Sequence, residues 1–149
     1  EYPFIFIAPQ CPYDKYWGCY TESLLAFIDS VISDLPVDKK RIYLTGLSMG
    51  GTGTFMLAMA APEKFAAIAP IAGSGICWNA GIIKDIPTMI YHGDCDDIVP
   101  ITESMTMVRE INRNRGNAQI KICYGVGHWA WEQAYSDDEF LEWMLSQSK

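Results

Sequence analysis

Short, unbroken apolar runs alternate along this chain with longer segments whose apolar residues return every three or four positions. The short runs are residues 4–8 (Phe-Ile-Phe-Ile-Ala), 41–45 (Arg-Ile-Tyr-Leu-Thr), 65–71 (Phe-Ala-Ala-Ile-Ala-Pro-Ile), 88–91 (Thr-Met-Ile-Tyr) and 119–124 (Gln-Ile-Lys-Ile-Cys-Tyr). Each is too short for a helix and continuous rather than alternating, which predicts strands covered on both faces. Between the first two, Leu24, Phe27, Ile28, Val31, Ile32 and Leu35 keep helical spacing, with Thr21 as the expected cap and Pro36 as the stop. A second helix is predicted over 51–61, ending before Pro62. A third is capped by Thr102, lined by Met105, Val108 and Ile111, and closed by Gly116. Ser136-x-x-Glu139 reads as a capping box for a last helix carrying Phe140, Leu141, Trp143 and Met144.

Strands alternating with helices predict an α/β fold, a parallel doubly wound sheet of about five strands. At 149 residues, half of them hydrophobic, the chain is expected to form a single domain over 1–149. Its charge of −7 and its lack of a basic cluster argue against nucleic acid as a partner. No apolar run is long enough to insert across a bilayer. The beginning at Glu1 does not indicate a compartment. Cys11, Cys19, Cys77, Cys95 and Cys123 are odd in number and widely spaced, so buried free thiols are expected rather than a disulfide framework or zinc site.

Candidate chemistry gathers where predicted strands end. Gly46-Leu47-Ser48-Met49-Gly50 lies between a strand and a helix, the context in which G-x-S-x-G means a nucleophile elbow. Gly46 and Gly50 are expected to clear space around the strained serine. Ser48 then stands at a helix N-terminus, where unpaired N–H groups, that of Met49 among them, can stabilise an oxyanion. A serine hydroxyl needs a histidine to take its proton and a carboxylate to orient that histidine. Of the two histidines, His128 follows the last strand in Gly-x-Gly-His, and His92 ends the strand before it. Asp94, Asp96 and Asp97 follow His92, so the Ser…Asp…His order of an α/β-hydrolase is present whichever carboxylate is used. Three carboxylates also raise a metal site, but no further histidine joins them and no metal or other cofactor is expected.

Five stretches carry a resemblance to a known family. They are Ala8-Pro9-Gln10-Cys11-Pro12, Leu44 through Gly51, Phe65 through Pro70, His92-Gly93-x-x-Asp96-x-x-Val99-Pro100, and Gly127-His128. The chain resembles the α/β-hydrolase superfamily and, within it, the small esterases with dienelactone-hydrolase-like, phospholipase/carboxylesterase-like and predicted-peptidase members. The resemblance implies Ser48 as nucleophile, His128 as general base and acid, Asp96 as orienting carboxylate and the Met49 N–H as an oxyanion donor. It places His92 in support of the loop.

The chain departs from the family in one respect. The family's earlier strand ending in His-Gly, which supplies the second oxyanion N–H, has no counterpart here. Three readings follow: a fragment, a minimal sheet in which residues 4–8 pair directly with the elbow strand, or a homo-oligomer whose second copy covers the open edge. Gln10 and Cys11 are the candidate replacement donors. Trp17, Trp78 and Trp129 are candidate aromatic walls of a substrate pocket. The expected activity is a serine carboxylesterase acting on small, short-acyl or aryl esters. The alternatives are a peptidase or thioesterase of the same fold, or an inactive truncated hydrolase serving as a binding module.

Overall fold

Four strands, β1 (Tyr43–Leu47), β2 (Ala67–Ile71), β3 (Thr88–Gly93) and β4 (Ala118–Cys123), form one parallel sheet in the order β1-β2-β3-β4 in the computed structural model, which describes residues 4–149. The register runs Tyr43 beside Ala67 to Leu47 beside Ile71, and Thr88 beside Ala118 to Gly93 beside Cys123. Two of the three crossovers carry an α-helix, α2 (Met49–Ala60) between β1 and β2 and α3 (Ile101–Arg113) between β3 and β4, while a 3₁₀ turn over Cys77–Ile83 lies between β2 and β3. The helix α1 (Thr21–Asp34) precedes β1, while α4 (Trp131–Ser136) and α5 (Asp138–Ser146) follow β4.

The core divides by side-chain alternation along the strands. Leu44, Ile68, Ile90 and Ile120 face one side, where they meet Phe55 and Ala58 of α2 and Met107 and Ile111 of α3. Tyr43, Ala69, Met89, Tyr91 and Cys123 face the other, where Ala134, Phe140 and Met144 of α4 and α5 cover them. Helices on both faces explain why the strand sequences are apolar without alternation, as expected for a doubly wound sheet. Among the described residues, no helix is long and apolar enough to cross a membrane.

Several local expectations are corrected. Residues 4–8 form no strand, and Ile5, Phe6 and Ile7 are 49%, 72% and 41% exposed. β1 is therefore an edge strand. All five of its residues are half-buried, whereas β2 and β3 are buried throughout. Thr21 does not cap α1, because a 3₁₀ turn over Trp17–Tyr20 runs directly into the helix. Pro100, not Thr102, precedes α3, and the buried side of that helix is Ser104, Met107 and Ile111, with Met105 half exposed. The last helix is capped by Asp137, whose side chain accepts from the Glu139 N–H at 3.0 Å; Ser136 ends α4 instead. All five cysteines are free, but only Cys11 and Cys123 are buried.

Candidate active site

In a parallel sheet every strand points its carboxyl end the same way, so the segments after β1, β3 and β4 emerge at one edge. Ser48 follows β1 directly. Its backbone sits at φ 54°, ψ −114°, a conformation that L-residues rarely adopt and that persists only where the surroundings enforce it. The enforcement is visible: the Ser48 N–H donates to the Ile71 carbonyl at 2.8 Å, and its carbonyl accepts from Thr52 at 2.9 Å. A Cβ at Gly46 would lie 2.6 Å from the Gly50 carbonyl carbon and oxygen, so strand and helix touch at that point. Gly50 has open space around it, and the steric role expected of it is not found.

The consequence is chemical. A serine beginning a helix ordinarily spends its hydroxyl on an N–H of the first turn. Ser48 begins α2 and makes no such bond. Its oxygen is left uncommitted above the helix N-terminus, where the Met49 N–H has no intrahelical acceptor. The Met49 side chain is 43% exposed.

Asp96 and His128 are brought together across two loops. Asp96 Oδ2 lies 2.8 Å from His128 Nδ1. Asp96 Oδ1 accepts from the N–H groups of Ile98 and Val99, both at 2.9 Å. The carboxylate is fully buried and the imidazole nearly so. Burial pushes the Asp96 carboxyl upward, but the His128 bond and the Val99 and Ile98 N–H groups outweigh it and hold it below the usual carboxylate range. Asp96 thus remains an anion, oriented towards one ring nitrogen. Asp94 instead accepts from the Gly125 N–H at 2.7 Å, which fastens the two loops together. Among the described residues, no three His, Cys, Asp or Glu side chains converge as metal ligands.

Gly93 makes a close contact for which the sequence reading assigned no role. A Cβ there would stand 2.2 Å from the Val126 carbonyl oxygen and 2.3 Å from that of Gly127. The loop after β4 therefore lies directly on the end of β3, in van der Waals contact with bare backbone. This contact carries His128 back over β3, towards the side of the sheet where Ser48 stands. The His-Gly pair in the sequence was the available signal for it.

The aromatic candidates separate. The Trp129 ring adjoins His128, with centroids 6.4 Å apart, stacks edge-on against Trp131 at 4.5 Å, and is 61% exposed. Trp78, in the 3₁₀ turn Cys77–Ile83 after β2, is 83% exposed. Trp17 packs on α2, within 3.0 Å of where a Gly53 Cβ would be, and lines a groove with Pro9, Gln10, Pro12 and α1. Gln10 donates to the Cys11 carbonyl at 3.2 Å, and Cys11 is buried. Their expected place beside the elbow assumed a strand at 4–8 paired to β1, and that pairing is absent.

The sequence profile of the phospholipase/carboxylesterase family matches residues 20–143. A "Probable feruloyl esterase C" of Aspergillus terreus is 30% identical over 115 residues, covering 75% of this chain and 43% of that protein. A "Bifunctional acetylxylan esterase/xylanase XynS20E" of Neocallimastix patriciarum is 32% identical over 79 residues, 53% of this chain and 12% of that protein. A solved structure described as a thermostable esterase superposes with a TM-score of 0.83 at 33% identity, over 86% of this chain and 36% of the other. The chain spans less than half the length of each of these relatives.

Proposed function

We propose that this chain, which belongs to the phospholipase/carboxylesterase family of α/β-hydrolases, hydrolyses small carboxylic esters through Ser48, His128 and Asp96. Two observations support this reading most: the fully buried Asp96 carboxylate lies 2.8 Å from His128 Nδ1, and the Ser48 hydroxyl is withheld from capping its helix.

In this mechanism His128 Nδ1–H donates to Asp96, which leaves Nε2 as the basic nitrogen. Ser48 Oγ attacks the ester carbonyl carbon while Nε2 takes the hydroxyl proton. The carbonyl π electrons move to oxygen, where the Met49 N–H and the α2 dipole stabilise the negative charge. The Asp96 anion stabilises the imidazolium. Collapse of the tetrahedral intermediate breaks the bond to the alcohol, which leaves with the proton from Nε2. The acyl group remains on Ser48. Water, deprotonated by His128, attacks it and releases the acid and the free serine.

The acyl or alkyl group is small or aromatic. Exposed Trp129 beside His128 offers a flat ring to an aryl substrate, and the relatives named for feruloyl and acetylxylan esters agree with that chemistry.

The test compares this chain with Ser48→Ala on p-nitrophenyl acetate, p-nitrophenyl butyrate and methyl ferulate, with fluorophosphonate labelling read by intact mass. Turnover and a single label in the parent alone are expected. A folded parent that neither turns over nor labels sinks the esterase reading and favours the binding module.

A further inference from the structure

His92 lies in β3 with its side chain completely buried. Both ring nitrogens are occupied. Nε2 is 2.8 Å from the Val99 carbonyl oxygen, which can only accept, so Nε2 carries a hydrogen. The same nitrogen is 3.3 Å from Asp96 Oδ2, the oxygen that meets His128. Nδ1 is 2.6 Å from Ser104 Oγ on α3. In the neutral ring Nδ1 accepts from the Ser104 hydroxyl while Nε2–H faces Val99 and Asp96.

This arrangement fixes Val99 from both ends of the residue. Its N–H is held by Asp96 Oδ1 and its carbonyl by His92 Nε2. The turn that aims the Asp96 carboxylate cannot swing without breaking both bonds. Behind His92, Ser104 Oγ approaches the Gly73 carbonyl at 3.5 Å. Gly73 packs on the first turn of α2, where its Cβ would be 2.6 Å from the Gly51 carbonyl carbon. A contiguous set of contacts thus joins the Asp96 loop to the helix that begins at Ser48. A leucine would fill the same buried volume without the cost of desolvating a polar ring; it would not offer Nε2–H to the Val99 carbonyl and Asp96.

We infer that His92, braced by Ser104, is a positioning residue that holds Asp96 in register with His128. The inference rests on the triad reading above. It is separable from it, because one arm of its test does not depend on turnover.

That arm is the low-field proton resonance of the His128 Nδ1–H bond to Asp96, identified by its loss in Asp96→Asn. The variants are His92→Leu, which removes both ring nitrogens; His92→Gln, which returns an N–H near the Nε2 position; and Ser104→Ala, which removes the brace. Misplacement of about an ångström costs up to roughly 100-fold in rate. His92→Leu is therefore expected to lower kcat by about 10- to 100-fold with KM nearly unchanged, and to shift or broaden the resonance. His92→Gln should recover most of both. A folded His92→Leu with parental kcat and an unmoved resonance overturns the inference, as does a His92→Gln no better than His92→Leu, which would make ring volume the cause. If His92→Leu does not fold, Ser104→Ala decides: a shifted resonance supports the brace, and parental resonance and kcat refute it. If the parent itself has no turnover, the esterase reading fails, while the resonance still tests the positioning.

Discussion

Replacing Asp96 by asparagine keeps the shape of the side chain and changes only what its two terminal atoms can do. Asparagine has one acceptor oxygen for two demands. On one side are the N–H groups of Ile98 and Val99, each at 2.9 Å; on the other are His128 Nδ1 at 2.8 Å and His92 Nε2 at 3.3 Å. Turning the amide nitrogen towards Ile98 and Val99 would oppose donors to two backbone N–H groups that cannot rearrange, at a cost of about 1–3 kcal/mol for each one buried and unmet. Turning it towards the histidines is cheaper, because His128 can exchange tautomers. Its hydrogen then moves to Nε2, the nitrogen required to take the Ser48 proton. The variant should therefore fold, with about 1–2 kcal/mol lost against His92, and lose roughly 10⁴-fold in kcat, about 5 kcal/mol of transition-state stabilisation. KM should change little, since Asp96 is fully buried and meets no substrate. The assay is steady-state hydrolysis of p-nitrophenyl acetate, with the His128 tautomer read by nitrogen NMR. Asp94→Asn, whose bond goes to the Gly125 N–H, serves as comparator. A folded Asp96→Asn within about tenfold of the parent, or an equal loss in Asp94→Asn, would refute the reasoning.

Further predictions follow from close contacts and from the charged groups under α5. Gly93→Ala must displace the Val126–Gly127 backbone, which a Cβ would meet at 2.2 and 2.3 Å; a loss of about 1–3 kcal/mol in urea unfolding is expected, with kcat reduced because the displaced loop bears His128. Gly46→Ala and Gly50→Ala should move in opposite directions. The first meets the Gly50 carbonyl at 2.6 Å and destabilises, while the second enters open space and stabilises by about 0.5–1 kcal/mol in thermal unfolding. Tyr91 donates to Asp137 at 2.6 Å, and Lys121 reaches the same carboxylate at 3.3 Å. The Tyr91 bond is the largest of the effects holding the Asp137 carboxyl below its usual range. A depressed carboxylate contributes stability that is complete above its unfolded value, near 4, and is lost as pH falls through the folded value. Tyr91→Phe should therefore lose stability at pH 7 and show a shallower decline on acidification, measured by urea unfolding at both ends of that window.

The hydrophobic pattern is a property of the chain itself, and it determined the α/β alternation. Continuous apolar runs require cover on both faces, which α2 and α3 supply on one side of the sheet and α4 and α5 on the other. The nucleophile candidate was equally legible, because the close contact of strand and helix at Gly46 excludes a side chain there and leaves a glycine in the sequence. The resemblance carried Asp96, and His128 was visible as a histidine following a strand.

What lay beyond the sequence depends on neighbours distant in the chain. Residues 4–8 have the composition of a strand, but a strand forms only where the fold delivers it to a sheet edge, and the sheet of the described residues consists of β1 to β4. Asp94 and Asp96 differ by two positions and are the same residue type. Only the folded loops show that one carboxylate meets Gly125 and the other His128. Caps were misplaced at Thr102 and Ser136 because the terminus of a helix is decided by where the preceding loop delivers the backbone, and Pro100 and Asp137 were delivered first. His92 reads in the sequence as loop support. Its dual contact with Val99 and Asp96 exists only once β3, the loop after it and α3 are packed together, because burial in that core leaves its ring nitrogens those partners and excludes solvent.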